Sequence, residues 1–322
     1  MKHHKFDGAY TAIVTPFKGG RRRIDEPAFE CLIEAQIKAR VDGIVVAGTT
    51  GESATLTFDE HNHLVELAVK LVNGRIKVIA GTGANATPEA IDLTRAAEAA
   101  GADASLQVAP YYNKPSQEGL FQHFRDVALA TKLPILLYSI PGRCGVEIAV
   151  DTVKRLAAAC PNIVGIKEAG GNVDRVSQLR AALGHKFTIL CGDDSLTLPF
   201  MSVGAKGVIS VVSNIVPRGV AHMVHAYLMS SVGLKYHSLA LKLHEKLYPL
   251  SKALFIETNP GPVKAALAMM GLIKEEYRLP LVKMEKKNRR KLKGVLEECG
   301  LLTAIPVGRK RNGRQARVND LT

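Results

Sequence analysis

The apolar run Ile163-Val164-Gly165-Ile166 ends on Lys167, with Glu168 next in the chain. An amine at the end of a buried strand, with no acid on its own face, is suited to attack carbonyls. The competing reading is an ion pair. Successive strand residues face opposite sides, so Glu168 is not that partner and the acid would have to come from elsewhere. Tyr138 closes a second such run, Pro134–Tyr138, and Ser139-Ile140-Pro141-Gly142-Arg143 follows it. A further run ends in Pro110-Tyr111-Tyr112-Asn113-Lys114-Pro115, and another in Ala47-Gly48-Thr49-Thr50-Gly51-Glu52-Ser53. Amides and hydroxyls of the latter loop can hold a carboxylate; a plain glycine turn with a threonine cap explains it equally well. Carbon–carbon bond formation through an imine needs a lysine nucleophile, a proton relay and a cation that places an acidic acceptor. Lys167, Tyr138 and Arg143 supply these in turn. Thr50 and Tyr112 are further relay candidates, and the Arg143 fork matches a carboxylate in bidentate fashion.

Positioning these groups requires elements that deliver strand ends to one place. Eight strand-length runs recur: Ala9–Val14, Gly43–Ala47, Lys77–Ala80, Ala104–Ala109, Pro134–Tyr138, Ile163–Ile166, Phe187–Leu190 and Val208–Val212. Helical periodicity fills most of the gaps, over Pro27–Ala39, Asp59–Val72, Pro88–Ala100, Gln117–Thr131 and Val150–Ala159. Thr87-Pro88-Glu89 predicts a hydroxyl cap with proline in the first turn, and Asp25-Glu26-Pro27 and Ser116-Gln117-Glu118 read alike. No glycine-rich dinucleotide loop follows Val14, which disfavours an open doubly wound sheet. The predicted fold is α/β, a (β/α)8 TIM barrel with a C-terminal helical extension. The barrel core is assigned to residues 1–216, its last helix and the extension to 217–306, and a basic, disordered tail to 307–322.

Composition agrees with many buried parallel strands: 47% of the 322 residues are apolar, only 5% are aromatic and tryptophan is absent. Five cysteines without a C-x-x-C pair argue against a disulfide framework and a thiolate metal site. No run approaches the roughly 20 apolar residues of a membrane span, and residues 1–7 lack the apolar core of an export signal, so a cytoplasmic protein is expected. The formal charge of +13 is concentrated in Arg21–Arg23, Lys283–Lys293 and Arg309–Arg317. No aromatic residue interleaves the last two clusters, which favours solvated surface and tail over a nucleic-acid site. His61 and His63, two apart on a helix, do not face one another as metal ligands do. Asp193-Asp194 reads as hydrogen bonding at the pocket, so neither a metal nor an organic cofactor is expected.

Taken in order, Gly48-Thr49-Thr50-Gly51-Glu52, Gly81-Thr82-Gly83-Ala84-Asn85, Pro110–Pro115, Gly165-Ile166-Lys167-Glu168 and Gly192-Asp193-Asp194 form a specific set. Over about residues 7–300 the chain resembles the dihydrodipicolinate synthase and N-acetylneuraminate lyase group of class I aldolases. The resemblance implies a pyruvate imine on Lys167, Tyr138 as acid and base, Thr49 and Thr50 at the pyruvate carboxylate or in proton relay, and Gly192 and Ile209 lining the pocket by their backbones. Arg143 followed by Gly145 is similar to the members that hold aspartate semialdehyde by its carboxylate, in lysine and diaminopimelate biosynthesis; the sialic acid lyases lack it there. Tyr112 is implied to reach a neighbouring subunit's site, hence a homo-oligomer, at least a tight dimer and usually a tetramer. Ser53, Ala54, His61, Asn85, Glu89 and Tyr111 match a lysine regulatory site. Ser139, Cys144 and Phe58 depart from the family's usual Asn, Thr and His, and the Arg21–Arg23 run and basic tail lie outside its pattern. Two rivals stay open: a lyase of the same group for a sugar acid or a 4-hydroxy-2-oxo acid, and a non-catalytic nucleic-acid-binding or regulatory protein that keeps the barrel but uses its basic segments.

Overall fold

The apolar runs become short strands because β-branched and small residues fit a pleated surface buried on both faces. The protein, a computed structural model, is described over residues 6–21 and 23–302. Its strands are β1 (Gly8–Ala12), β2 (Phe17–Lys18), β3 (Arg23–Ile24), β4 (Gly43–Val46), β5 (Lys77–Gly81), β6 (Ala104–Val108), β7 (Ile135–Ser139), β8 (Ile163–Glu168), β9 (Thr188–Cys191) and β10 (Gly207–Ser210). Eight of them, β1 and β4–β10, close into an all-parallel barrel. Period-two alternation sorts their side chains. Leu136 and Tyr138 of β7 point into the barrel, together with Tyr10, Val45, Leu190 and Ile209. Ile135 and Leu137 point outward into the shell between barrel and helices. On the helix side of that shell Leu120, Phe124 and Val127 are fully buried from one face of the helix Gln117–Leu129.

The antiparallel pair β2–β3 was not foreseen, because two-residue strands carry no readable period. Its turn, Gly19-Gly20-Arg21, has φ of +70°, +73° and +76°, and the hairpin docks on the C-terminal extension: the Arg21 amide donates to Glu276 over 2.6 Å. Part of the Arg21–Arg23 charge run is therefore an anchored turn. Ser116 caps as expected, accepting from the Gly119 amide at 3.2 Å. Thr87 does not. It is the first residue of its helix, and its hydroxyl meets His123 Nδ1 at 2.9 Å. Asp25 stands at its helix start without a cap bond and pairs with Lys18 instead, at 3.2 Å. The capping box is at Thr57 and Glu60.

Beyond β10 the chain is helical: Pro217–Leu228 completes the barrel wall, and Leu234–Ala253, Gly261–Met269 and Lys286–Glu298 form the extension. The tail from Val307 lies outside the described residues. No helix of the described residues is long and apolar enough to cross a membrane.

Candidate active site

Parallel strands closed into a barrel bring all their C-terminal ends to one mouth. The register sets Tyr138 of β7 beside Lys167 of β8, and because Leu136 and Tyr138 face inward, so does Lys167. The Lys167 Nζ lies over the Tyr138 ring, 4.1 Å from its centroid. Lys167 is 7% exposed and, among the described residues, has no carboxylate within ion-pair distance. The competing ion-pair reading thus fails. Glu168 turns outward, where Arg175 Nε donates to it at 2.8 Å. Burial pushes the Glu168 carboxyl upward against the opposing pull of Arg175. Arg175 also donates to the Ile148 carbonyl, tying the segment after β7 to the end of β8.

Gly192, just past β9, joins Lys167, Tyr138, Thr49, Thr50 and Arg143 on the wall of one cleft. Its lack of a side chain is what lets the lysine reach this place: a Cβ there would sit 2.9 Å from Lys167 Cε and 2.6 Å from Ala169 Cβ. Gly192→Ala is therefore expected to displace the lysine and lower turnover about 10- to 100-fold while the protein stays folded. Steady-state kinetics beside circular dichroism checks it, and wild-type rates would show that the close approach is immaterial.

The loop after β4 supplies the opposite wall. Its carbonyl at Gly51 accepts from Thr15 Oγ at 2.7 Å, and Thr50 Oγ accepts from Asn259 Nδ2 at 3.0 Å. Glu52, left-handed at φ +57° and fully buried, reaches down to the Lys264 ammonium and accepts from the Arg278 amide at 3.2 Å. Arg143 stands at the rim, its Nη2 donating to the Asn259 carbonyl at 3.0 Å. Neither Asn259 nor Lys264 was singled out from the sequence. The available signals were the break Thr258-Asn259-Pro260-Gly261-Pro262 in an otherwise helical stretch and a cation inside the apolar run Val263–Met269.

Other candidates fall elsewhere. Tyr112 is 90% exposed, with φ +74°, in the turn after β6 and outside this cleft. Ile209 belongs to the barrel interior, and the cleft wall near it is formed by Val211. Asp194 lies beneath, where it accepts from the Val211 and Val212 amides and from Ser210, its carboxyl pushed up to about 6 by burial. Asp193 accepts from the Ser195 amide at 2.9 Å. Ser139 is buried on the outer face of β7, and burial pushes the Cys144 thiol up to about 11.

Of the residues matched to a regulatory site, Asn85 Nδ2 donates to the Tyr111 carbonyl at 3.3 Å, and burial, with the Glu89 charge adding to it, raises the Tyr111 phenol. His61 is buried, with Nε2 2.8 Å from the Gly81 carbonyl, while Ser53 lines the cleft and Ala54 is exposed. His63 pairs with Glu26 at 2.9 Å.

With this geometry in hand, likeness to known proteins is informative. Residues 5–299 match the Dihydrodipicolinate synthetase family. The chain is 53% identical over 297 residues to the 4-hydroxy-tetrahydrodipicolinate synthase of Thermodesulfovibrio yellowstonii, covering 92% of this chain and 99% of that one. It is 50% identical over 296 residues to the enzyme of the same name from Aquifex aeolicus, covering 92% and 98%. Among solved structures, the 4-hydroxy-tetrahydrodipicolinate synthase from the methanotroph Methylacidiphilum fumariolicum SolV is 58% identical, with a TM-score of 0.89 over 92% of this chain and 96% of that one. A closed parallel barrel, a lysine and a tyrosine together at its mouth, and this extent of likeness lead to one conclusion: the chain belongs to the dihydrodipicolinate synthetase family.

Proposed function

We propose that this barrel condenses pyruvate with L-aspartate 4-semialdehyde through an imine on Lys167, the activity of a 4-hydroxy-tetrahydrodipicolinate synthase in lysine and diaminopimelate formation. The observation that carries the reading is the buried Lys167 amine, 4.1 Å from the Tyr138 ring centroid and with no carboxylate partner among the described residues, in a cleft that Arg143 and the Thr49-Thr50 loop also line. Relatives of that name at 50–53% identity support it.

In this scheme Lys167 Nζ adds to the pyruvate ketone, and the carbinolamine loses water to give the imine. Tyr138 and Thr50 carry protons in both steps. Loss of a proton from the pyruvate methyl gives the enamine, whose carbon attacks the aldehyde. The amino group of the acceptor then attacks the imine carbon, closing the ring and expelling the lysine amine. The imine is itself the electron sink, so the scheme contains no step for a metal or organic cofactor. Thr49 and Thr50, on a loop rich in small residues, hold the pyruvate carboxylate, and Arg143 holds that of the acceptor.

A coupled assay with both substrates tests the reaction. Arg143→Ala is expected to raise KM for aspartate semialdehyde about 10- to 100-fold, the range for a hydrogen bond to a charged group, and to leave borohydride trapping of pyruvate intact. Turnover of a sugar acid or a 4-hydroxy-2-oxo acid in place of aspartate semialdehyde would transfer the chain to the rival lyases.

We place the protein in the cytoplasm, in keeping with its five unpaired cysteines. The solvent-exposed Tyr112 on left-handed backbone supports a tight dimer in which it completes the partner's cleft, and a tetramer above that. One relative, 43% identical, is described as a monomeric dihydrodipicolinate synthase variant. Sedimentation analysis of this chain, with turnover of Tyr112→Phe, checks the assembly. The approach of Asn85 and Glu89 to Tyr111 supports feedback binding of lysine; a structure from Cyanidioschyzon merolae, 41% identical, is described with lysine bound. Full activity at millimolar lysine would remove this regulation.

A further inference from the structure

Arg175, in the first turn of the helix Val173–Leu183, does not line the cleft, yet it joins the strand that carries Lys167 to the segment that carries Arg143. It and Glu168 are both buried. Its Nε donates to Glu168 at 2.8 Å, its Nη2 donates to the Ile148 carbonyl, and its Nη1 lies 3.2 Å from the Glu147 carboxylate. One guanidinium thus grips β8 with one nitrogen and the segment after β7 with the other two. The second Glu168 oxygen accepts from the Gly170 amide at 2.8 Å, so the carboxylate is engaged on both sides. A buried ion pair is a weak source of stability, since apolar groups of the same volume hold a fold as well or better. What the planar fork supplies is direction. Its nitrogens are fixed relative to one another and are satisfied together only when Glu168 and residues 147–148 stand at set positions.

Direction matters because of where that segment goes. The ladder between β7 and β8 ends at Ser139 and Glu168. The chain then leaves the barrel, carries Arg143 in the short helix Pro141–Cys144, turns at Gly145 with φ +72°, and rejoins the wall at the helix Val150–Ala159. Its return is fixed by side chains from outside. Gln117 donates to the Glu147 carbonyl at 2.8 Å and accepts from the Ala149 amide at 3.0 Å, whereas the Ser139 hydroxyl accepts from the Ile148 amide only at 3.4 Å. Arg175 is the charged anchor among these, and it refers the segment to the strand of the nucleophile. We infer that Arg175 is a positioning residue for the acceptor substrate, one that sets where the Arg143 fork stands relative to the imine on Lys167. It acts through Arg143 and not on substrate itself. Lys167 is placed by the β8 ladder on the inner face, so loss of the bracket displaces Arg143 and leaves the nucleophile where it is.

This rests on the proposed hold of Arg143 on the acceptor carboxylate. Arg175→Lys tests it, because the variant keeps a cation beside Glu168 while one ammonium cannot serve three directions at once. It is expected to raise KM for aspartate semialdehyde about tenfold with kcat within about threefold, the mark of a binding group displaced and not removed. Exchange of the pyruvate methyl hydrogens in heavy water, followed by proton NMR, reads enamine formation without an acceptor. That rate should stay within about twofold of wild type, since Lys167 keeps its place. The decisive measurement is the double variant: Arg175→Lys in the Arg143→Ala background should raise KM by less than about twofold further, whereas a general structural loss would add in full. An unchanged KM in Arg175→Lys, a full tenfold rise on top of Arg143→Ala, or exchange slowed as much as KM is raised would each overturn the inference. Should Arg175→Lys fail to fold, Glu168→Gln with Arg175→Gln, which leaves neither member of the buried pair charged, carries the same comparison. Wild-type protein that exchanges pyruvate hydrogens but does not consume aspartate semialdehyde would overturn the acceptor assignment and this role together. Wild-type protein that consumes it, beside an Arg175→Lys variant of unchanged KM, would overturn this role alone.

Discussion

Lys167→Ala is expected to abolish borohydride trapping of pyruvate and to lower turnover by at least about 10⁴-fold, the scale on which removal of a covalent nucleophile acts. The expectation follows from the surroundings of the amine. It is buried at the end of β8, it faces an aromatic ring rather than a carboxylate, and its sequence neighbour Glu168 is engaged by Arg175 on the other side of the strand. Among the described residues no second lysine lines this cleft to take over the imine. Lys167→Arg separates the two ways in which a cation can act. A guanidinium keeps the positive charge but does not deprotonate in proteins, so it cannot form the imine. If the lysine acted by charge, the arginine variant would retain activity; if it acts by covalent attack, both variants are equally inactive. Undiminished trapping in Lys167→Ala would place the imine elsewhere. The protein should remain folded in both cases, since replacing the lysine breaks no ion pair among the described residues.

The second large effect concerns stability. Lys264→Met is expected to destabilise the protein by about 3–5 kcal/mol, because it leaves the Glu52 carboxylate buried without its cation. Lys264 and Glu52 are both fully buried and pair directly, and the ammonium also lies 4.3 Å from the centroid of the Phe17 ring. Burial draws the Lys264 ammonium downward, and the Glu52 charge opposes that. A loss of this size lowers Tm on the order of 10 °C for a chain of this length, read by scanning calorimetry at fixed protein concentration. The double variant Glu52→Leu with Lys264→Met should recover most of it, since two apolar groups of similar volume leave no uncompensated charge. A single variant within about 2 °C of wild type would show that the pair is dispensable. The same substitution bears on the site. Glu52 closes the loop that presents Thr49 and Thr50 and occupies a left-handed backbone that costs free energy to hold. Released from Lys264, that loop should loosen, and KM for pyruvate should rise in Lys264→Met at temperatures where the fold persists.

Much of the architecture was readable from residue order because it is local in origin. Strand-length apolar runs alternating with helical periodicity specify parallel strands with crossover helices, and the pleat then dictates that Lys167 and Glu168 face opposite ways. The reading failed where a local signal met a competing partner. Thr87 has the chemistry of a cap, yet its hydroxyl meets His123 from the neighbouring helix. The β2–β3 hairpin is too short to show a period and depends on docking to Glu276, more than 250 positions away.

Residue order by itself determined which groups arrive at the barrel mouth, because a strand's end and its facing depend only on its own length and alternation. Lys167, Tyr138 and the Thr49-Thr50 loop follow from that. Only the tertiary structure decided what holds them there. Asn259 and Lys264 come from an extension with no strand among the described residues, and contact with Thr50, Arg143 and Glu52 exists only once the chain between them has closed into a barrel. Pairings over such separations leave no period or spacing in the sequence, and the lone cation in Val263–Met269 becomes intelligible only when its buried partner is seen.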